Sequence, residues 1–239
     1  MKIQEEAVDH FDGDAPLHAW LAWDSEETRK RPGVFVVHGG AGLDDHAKGR
    51  ARNFVQRGYV AFACDMYGEN VTGDRERIRA KIMELRASRE RLCRRALAGV
   101  ELLRQNSLVN GQLAAVGYCF GGMTVLELAR SGARLDGVVS VHGGLETAQP
   151  AEPNAIQAKV LVCHGALDPH VPITQLHGLT DELTRAGADW QVAIYGGAEH
   201  GYTHEENYGV PGVAYNAQAD ARTWRAIDAF FGEIFGPSA

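Results

Sequence analysis

Short apolar runs suited to buried strands alternate with segments of helical periodicity along this chain, and that alternation most narrows the folds open to it. Ile3–Val8 and Leu17–Trp23, with Asp12-Gly13-Asp14 as a turn between them, read as an opening antiparallel pair. Gly33–His38 is a buried strand that runs into the glycine-rich His38-Gly39-Gly40-Ala41-Gly42. A helix over His46–Arg57, closed by Gly58, leads to a strand at Tyr59–Cys64 and the loop Asp65-Met66-Tyr67-Gly68. Residues Asp74 to Gln105 are dense in Arg and Glu, with apolar positions that include Ile78, Ile82, Leu85, Leu92 and Leu103. They read as one broken helix or two helices with a solvated charged face. Further strands are expected at Leu113–Val116, Gly137–Val141, Lys159–His164 and Gln191–Tyr195, and further helices over Met123–Ala129, Pro172–Gly187 and Tyr215–Phe235. A long loop spans Gly196–Gly212. No internal repeat or linker divides the sequence. The expectation is a single α/β domain over residues 1–239, its mostly parallel central sheet covered by helices on both faces.

Composition removes several classes of function. Hydrophobic content is 45% and charged content 23%, as in an ordinary globular protein, and the net charge of −7 leaves no basic footprint for nucleic acid or an anionic membrane. No apolar run approaches the ~20 residues of a membrane helix. The segment Met1-Lys2-Ile3-Gln4-Glu5-Glu6 lacks the apolar core of a signal peptide, so a cytoplasmic location is expected. Cysteines at 64, 93, 119 and 163 form no Cys-x-x-Cys pair, and the ten histidines fall at no known ligand spacing; neither a metal nor a cofactor is expected. The sequence is silent on oligomeric state.

In sheets of this kind functional groups gather at the carboxyl ends of the strands. The unusual loops all lie there: His38-Gly39-Gly40, Asp65-Met66-Tyr67, Tyr118-Cys119-Phe120, His142-Gly143, Asp168 and His200. Gly117-Tyr118-Cys119-Phe120-Gly121 sits between a strand and a helix in the pattern Gly-x-nucleophile-x-Gly, a strained turn that lifts its central side chain clear of the sheet. Cysteine is also a common core residue, and small residues often serve strand-on-helix packing. A nucleophilic thiol needs a base or a positive partner. The order nucleophile, acid, histidine is that of the α/β-hydrolase fold, and it is met by Cys119, Asp168 and His200. Asp168 precedes Pro169 in a tight loop, where it competes with a plain helix-capping role for the Pro172 helix. His204 rivals His200 but lacks flanking glycine. The Phe120 N–H, at a helix N-terminus, is a candidate oxyanion donor. Tyr67, Tyr118, His142 and His204 are candidates for lining a pocket, or equally for strand-end packing.

With these residues the chain resembles the dienelactone hydrolase family over nearly its full length. The resemblance is carried by Gly117-Tyr118-Cys119-Phe120-Gly121-Gly122, by Gly165-Ala166-Leu167-Asp168-Pro169-His170-Val171-Pro172, by Ala198-Glu199-His200-Gly201-Tyr202 and by Asp65-Met66-Tyr67. It implies an α/β-hydrolase fold with Cys119 as nucleophile, His200 as base and Asp168 as its orienter. The N–H groups of Phe120 and Gly40 would form the oxyanion hole. Substrates would be small esters or lactones. The family prototype has a glutamate where this chain has Gly39, and two substrate-gripping arginines, one of which falls at about His204 and the other in the charged helical region. These departures imply a thiolate that forms without a substrate trigger and a pocket for neutral esters. Activated phosphotriesters are the alternative substrate class. A non-enzymatic binding module and a redox thiol protein are weaker readings, because the triad is complete and Cys119 has no partner cysteine nearby in sequence.

Overall fold

The computed structural model describes residues 1–69, 71–206 and 209–236. They form two compact units, Met1–Val116 and Gly117–Ala239. The division falls within one strand, and two positions of the long loop expected at Gly196–Gly212, 207 and 208, lie outside the described residues.

In the first unit β1 (Ile3–Asp12) and β2 (Ala15–Asp24) form an antiparallel hairpin about Gly13, whose φ of 61° suits glycine. Both strands run longer than their apolar cores suggest, because ladder pairing from Ile3↔Asp24 to Asp12↔Ala15 carries polar residues along. β3 (Arg31–Val37), α1 (Asp45–Gln56), β4 (Val60–Cys64), α2 (Arg75–Arg86), α3 (Arg89–Gln105) and β5 (Val109–Tyr118) follow. The strand order is β1-β2-β4-β3-β5, with β3 parallel and β2 antiparallel to β4. β3 and β4 form the core: Val34 to Val37 and Val60 to Cys64 are buried on both faces, as unbroken apolar runs demand. Asp44 caps α1 by accepting from the Ala47 N–H, and Arg57 and Gly58 close it.

The charged stretch resolves into two helices because Ser88 interrupts it and caps α3, its side chain accepting from the Arg91 N–H. Most of that charge is the expected solvated face, as in the Arg91–Glu84 pair. Arg95 is the exception: it is buried, pairs with buried Asp12 at 3.1 Å, and donates to the Met66 carbonyl. Gly99 lets α3 close on the sheet, since a Cβ there would lie 2.7 Å from the Phe35 ring.

The second unit holds α4 (Phe120–Arg130), β6 (Gly137–Val141), β7 (Lys159–Gly165), α5 (Gln175–Arg185), β8 (Trp190–Tyr195) and α6 (Ala217–Phe235). The strand order is β6-β7-β8, all parallel, with Gly137↔Lys159 and Val160↔Trp190 in register. α6 is capped by Asn216 and buries Ile227, Phe230 and Phe231; a Cβ at Gly137 would lie 2.8 Å from the Phe230 ring. α5 starts at Gln175 rather than Pro172, since residues 172–174 are spent in a turn with Thr174 as the cap.

One buried ionic cluster ties this unit together. Arg130, with its side chain 1% exposed, donates to Glu127 on its own helix (2.9 Å), to both carboxylate oxygens of Glu182 on α5 (2.9 Å each) and to the Leu145 carbonyl (2.8 Å). Glu182 also accepts from the Ala151 N–H. A bidentate fork of this kind is the arrangement that makes a buried ion pair tolerable.

Candidate active site

The three residues that sequence order suggested as a triad all belong to the second unit and meet in space. β5 ends at Tyr118, and the chain turns through Cys119 with φ 52° and ψ −111° before α4 begins at Phe120. A side chain in that region of backbone space costs roughly 1–3 kcal/mol, a strain typical of functional turns. Glycines make the turn possible. A Cβ at Gly117 would sit 1.9 Å from the Gly121 carbonyl oxygen, and one at Gly122 would sit 2.7 Å from the Gly143 Cα. The elbow is thus pressed both on itself and on the loop leaving β6. Cys119 is partly exposed, whereas Cys64, Cys93 and Cys163 are buried thiols. Burial pushes the Cys163 thiol up to about 12 and raises Cys64 as well, so neither offers a thiolate.

His200 Nε2 lies 3.0 Å from Cys119 Sγ, and His200 Nδ1 lies 2.7 Å from Asp168 Oδ2. Burial of the imidazole opposes its charge, but the Cys119 thiolate and then the Asp168 carboxylate outweigh it, and its pKa rises to about 10. Burial likewise works against the Asp168 carboxylate. The His200 bond and the N–H groups of Val171 and His170 prevail and hold it below the usual range. Asp168 divides its two oxygens between tasks: Oδ1 accepts from the His170 and Val171 N–H groups and shapes the loop, while Oδ2 faces His200. It does not cap α5, so the competing helix-cap reading falls away.

The backbone of His200 is held on both sides by a later segment. Its N–H donates to the Gly212 carbonyl at 3.1 Å, and its carbonyl accepts from the Ala214 N–H at 3.2 Å. Gly212 has φ 76°, and a Cβ there would lie 2.2 Å from Pro169 Cγ, so this strap can lie against the Asp168-Pro169 turn only as glycine. His170 adds a tie, with Nε2 2.9 Å from the Pro211 carbonyl oxygen and its ring edge-on to His200 at 5.3 Å. Sequence reading had not singled out His170, although it stands two residues after Asp168.

The other nominated residues are set back from solvent. Tyr67 is 1% exposed and its hydroxyl donates to the Gly40 carbonyl at 3.1 Å; both lie in the first unit, where His38 further links the loops by donating to the Gly39 carbonyl and accepting from the Met66 N–H. Tyr118, His142 and His204 are 1%, 0% and 7% exposed. Buried so deeply, His142 offers a ligand no open face. It accepts from the Cys119 N–H and bonds Thr203 instead, a role that no spacing in the sequence announces. His204 packs tilted against His142, and the imidazole on the sulfur is that of His200. Phe120 opens α4, whose cap residue Cys119 makes no side-chain capping bond. Among the described residues no cluster of three His, Cys, Asp or Glu could hold a metal ion, and no helix is long and apolar enough to cross a membrane.

Comparison with known proteins places this geometry in a family context. The model of the dienelactone hydrolase family matches residues 17–235. Among solved structures, a dienelactone hydrolase-like promiscuous phosphotriesterase from metagenomic libraries is 39% identical, with a TM-score of 0.92 over 98% of this chain and 99% of that one. Dienelactone hydrolase from Anabaena variabilis, 20% identical with a TM-score of 0.71 over 98% of this chain and 99% of its own, shares the α/β-hydrolase fold. An uncharacterized protein of Caenorhabditis elegans is 34% identical over 149 residues, which cover 58% of this chain and 90% of that protein.

Proposed function

The chain belongs to the dienelactone hydrolase family, and from that membership we propose that it is a cysteine hydrolase of small neutral carboxylic esters and lactones. It works as one catalytic domain over residues 1–239. The observation that carries this reading is the relay Cys119 Sγ–His200 Nε2–His200 Nδ1–Asp168 Oδ2, at 3.0 and 2.7 Å. The Cys119 sulfur and the Asp168 carboxylate raise His200 well above the ordinary imidazole range, which favours a resting thiolate–imidazolium pair that needs no substrate to form. This agrees with Gly39 standing where the family prototype has a glutamate.

The thiolate attacks the ester carbonyl carbon, and the carbonyl π electrons move to oxygen. That oxyanion is held by the N–H of Phe120, at the positive end of α4. When the tetrahedral intermediate collapses, the C–O bond to the leaving alcohol breaks, and His200 supplies its proton to the departing oxygen. The thioester is then hydrolysed by a water that neutral His200 deprotonates, while Asp168 keeps Nδ1 protonated and the ring aligned. Thiolate and imidazolium are restored as the acid leaves.

A second reading is favoured by one specific observation, the 39% identity to a protein described as a promiscuous phosphotriesterase. The same thiolate would displace a good leaving group from a neutral phosphotriester, with the same N–H on the phosphoryl oxygen. Turnover of a panel of p-nitrophenyl esters, a dienelactone and a phosphotriester by wild type and Cys119→Ala tests both readings. We expect hydrolysis of the neutral esters to fall by several orders of magnitude in the variant with circular dichroism unchanged. Retention of more than a tenth of wild-type turnover would remove Cys119 from the mechanism. A phosphotriester rate above every ester rate would favour the second reading.

A further inference from the structure

The nucleophile and its base stand on different loops, Cys119 after β5 and His200 after β8, yet the chemistry requires Sγ and Nε2 to stay 3.0 Å apart. Asp168 orients the His200 ring from the far side. His142, at the end of β6, touches both loops.

His142 Nδ1 accepts from the Cys119 N–H at 3.1 Å, sharing that proton with the Val141 carbonyl at 3.0 Å. Its Nε2 lies 2.9 Å from Thr203 Oγ1, three residues beyond the base. One protonation state alone serves both bonds. Nδ1 must carry a lone pair for the amide, so the proton of a neutral ring sits on Nε2 and is donated to the threonine hydroxyl. The ring is wholly buried and stands edge-on to His200 at 5.4 Å and to Tyr202 at 5.1 Å. Tyr118 and His204 are further ring neighbours at 6.1 and 5.7 Å. The His200 imidazolium and the surrounding burial both disfavour a second positive charge on His142, against the pull of the Cys119 thiolate. The backbone at His142 has φ 39°, a conformation that few residues with a Cβ adopt. A side chain is held here despite the strain.

We infer that His142 is a positioning residue for the reaction, a neutral spacer that sets the elbow and the His200 loop at their working separation. The inference rests on Cys119 and His200 being the catalytic pair. It differs from a pocket-lining role, because His142 acts through its bonds to Cys119 and Thr203 and touches no substrate. Misplacing reacting groups by about an ångström costs on the order of 100-fold in rate, and losing one neutral hydrogen bond costs about 2- to 10-fold.

The test uses His142→Phe, which keeps a ring and removes both nitrogens; His142→Asn, whose Oδ1 can still accept from the Cys119 N–H; Thr203→Val; and Thr203→Ser. For His142→Phe we expect kcat on a p-nitrophenyl ester to drop about 10- to 100-fold with KM within about twofold. Alkylation of Cys119 by iodoacetamide should slow at pH 7 and regain a rise toward the free-thiol range near pH ~8.5. His142→Asn should recover much of the loss. Thr203→Val should lower kcat about 2- to 10-fold and Thr203→Ser restore it. The double variant His142→Phe with Thr203→Val should be no worse than His142→Phe alone, because both break one connection. A folded His142→Phe protein with wild-type kcat and an unchanged alkylation profile overturns the inference, as do losses that multiply in the double variant. If His142→Phe does not fold, the Thr203 pair decides, and wild-type kcat in Thr203→Val overturns the inference. An active Cys119→Ala protein would instead overturn the catalytic reading beneath it.

Discussion

Replacing Arg130 by Met keeps most of the side-chain volume in the second unit and removes its buried cation. Four acceptor atoms then lose the guanidinium: Glu127 Oε1, both carboxylate oxygens of Glu182 and the Leu145 carbonyl oxygen. The Arg130, Glu127 and Glu182 side chains are 1%, 7% and 6% exposed, so water does not take over. Glu182 keeps the bond from the Ala151 N–H. Breaking a buried pair from one side costs roughly 3–5 kcal/mol. In a chain of this length each kcal/mol lowers Tm by about 2–4 °C, so we expect a fall of about 6–20 °C near pH 7.5.

Calorimetry or urea unfolding at pH 7.5 measures the loss. A Tm within 2 °C of wild type would refute the reasoning.

Asp168→Asn should preserve the loop, because the amide oxygen can still accept from the His170 and Val171 N–H groups, but it turns an NH2 toward His200 Nδ1. The loss of a charge-assisted bond predicts a fall in kcat of roughly 10- to 100-fold or more. Histidine NMR titration should show the His200 proton leaving well below the wild-type value of about 10. An imidazolium raised in this way stabilises the fold fully below its ordinary pKa of 6.5 and loses that contribution as pH rises through about 10, so the variant should begin to weaken at lower pH than wild type. His200→Ala should abolish turnover and slow iodoacetamide at Cys119 near neutral pH. His204→Ala should change activity less, and a reversal of the two would move the base to His204.

The elements were legible in the sequence because apolar runs and helical periodicity state them locally, whereas the helix starts were not: Asp44, Asp74, Ser88 and Asn216 each stand one residue ahead of a helix and cap it, and only the structure shows those bonds. The elbow was legible for the same reason, since its glycines are adjacent in the chain. Contacts between distant segments were not. Arg130 and Glu182 are 52 residues apart, and nothing at either position advertises the other. His142 drew notice as a histidine at a strand end, but its partners, the Cys119 amide and Thr203, follow from how three strand ends converge. The charged face of α3 read correctly as solvated except at Arg95, which a partner on the opening hairpin, Asp12, draws inside.

The clamp of His200 between Gly212 and Ala214 makes the base answer to residues that come later in the chain. His200 is fixed through its backbone as well as through its ring, so a change at Gly212 reaches the imidazole without touching it. A side chain at Gly212 has to displace Pro169, the neighbour of Asp168, and so disturbs the relay at two of its members at once. An engineer who varies substrate range should leave Gly212 as glycine.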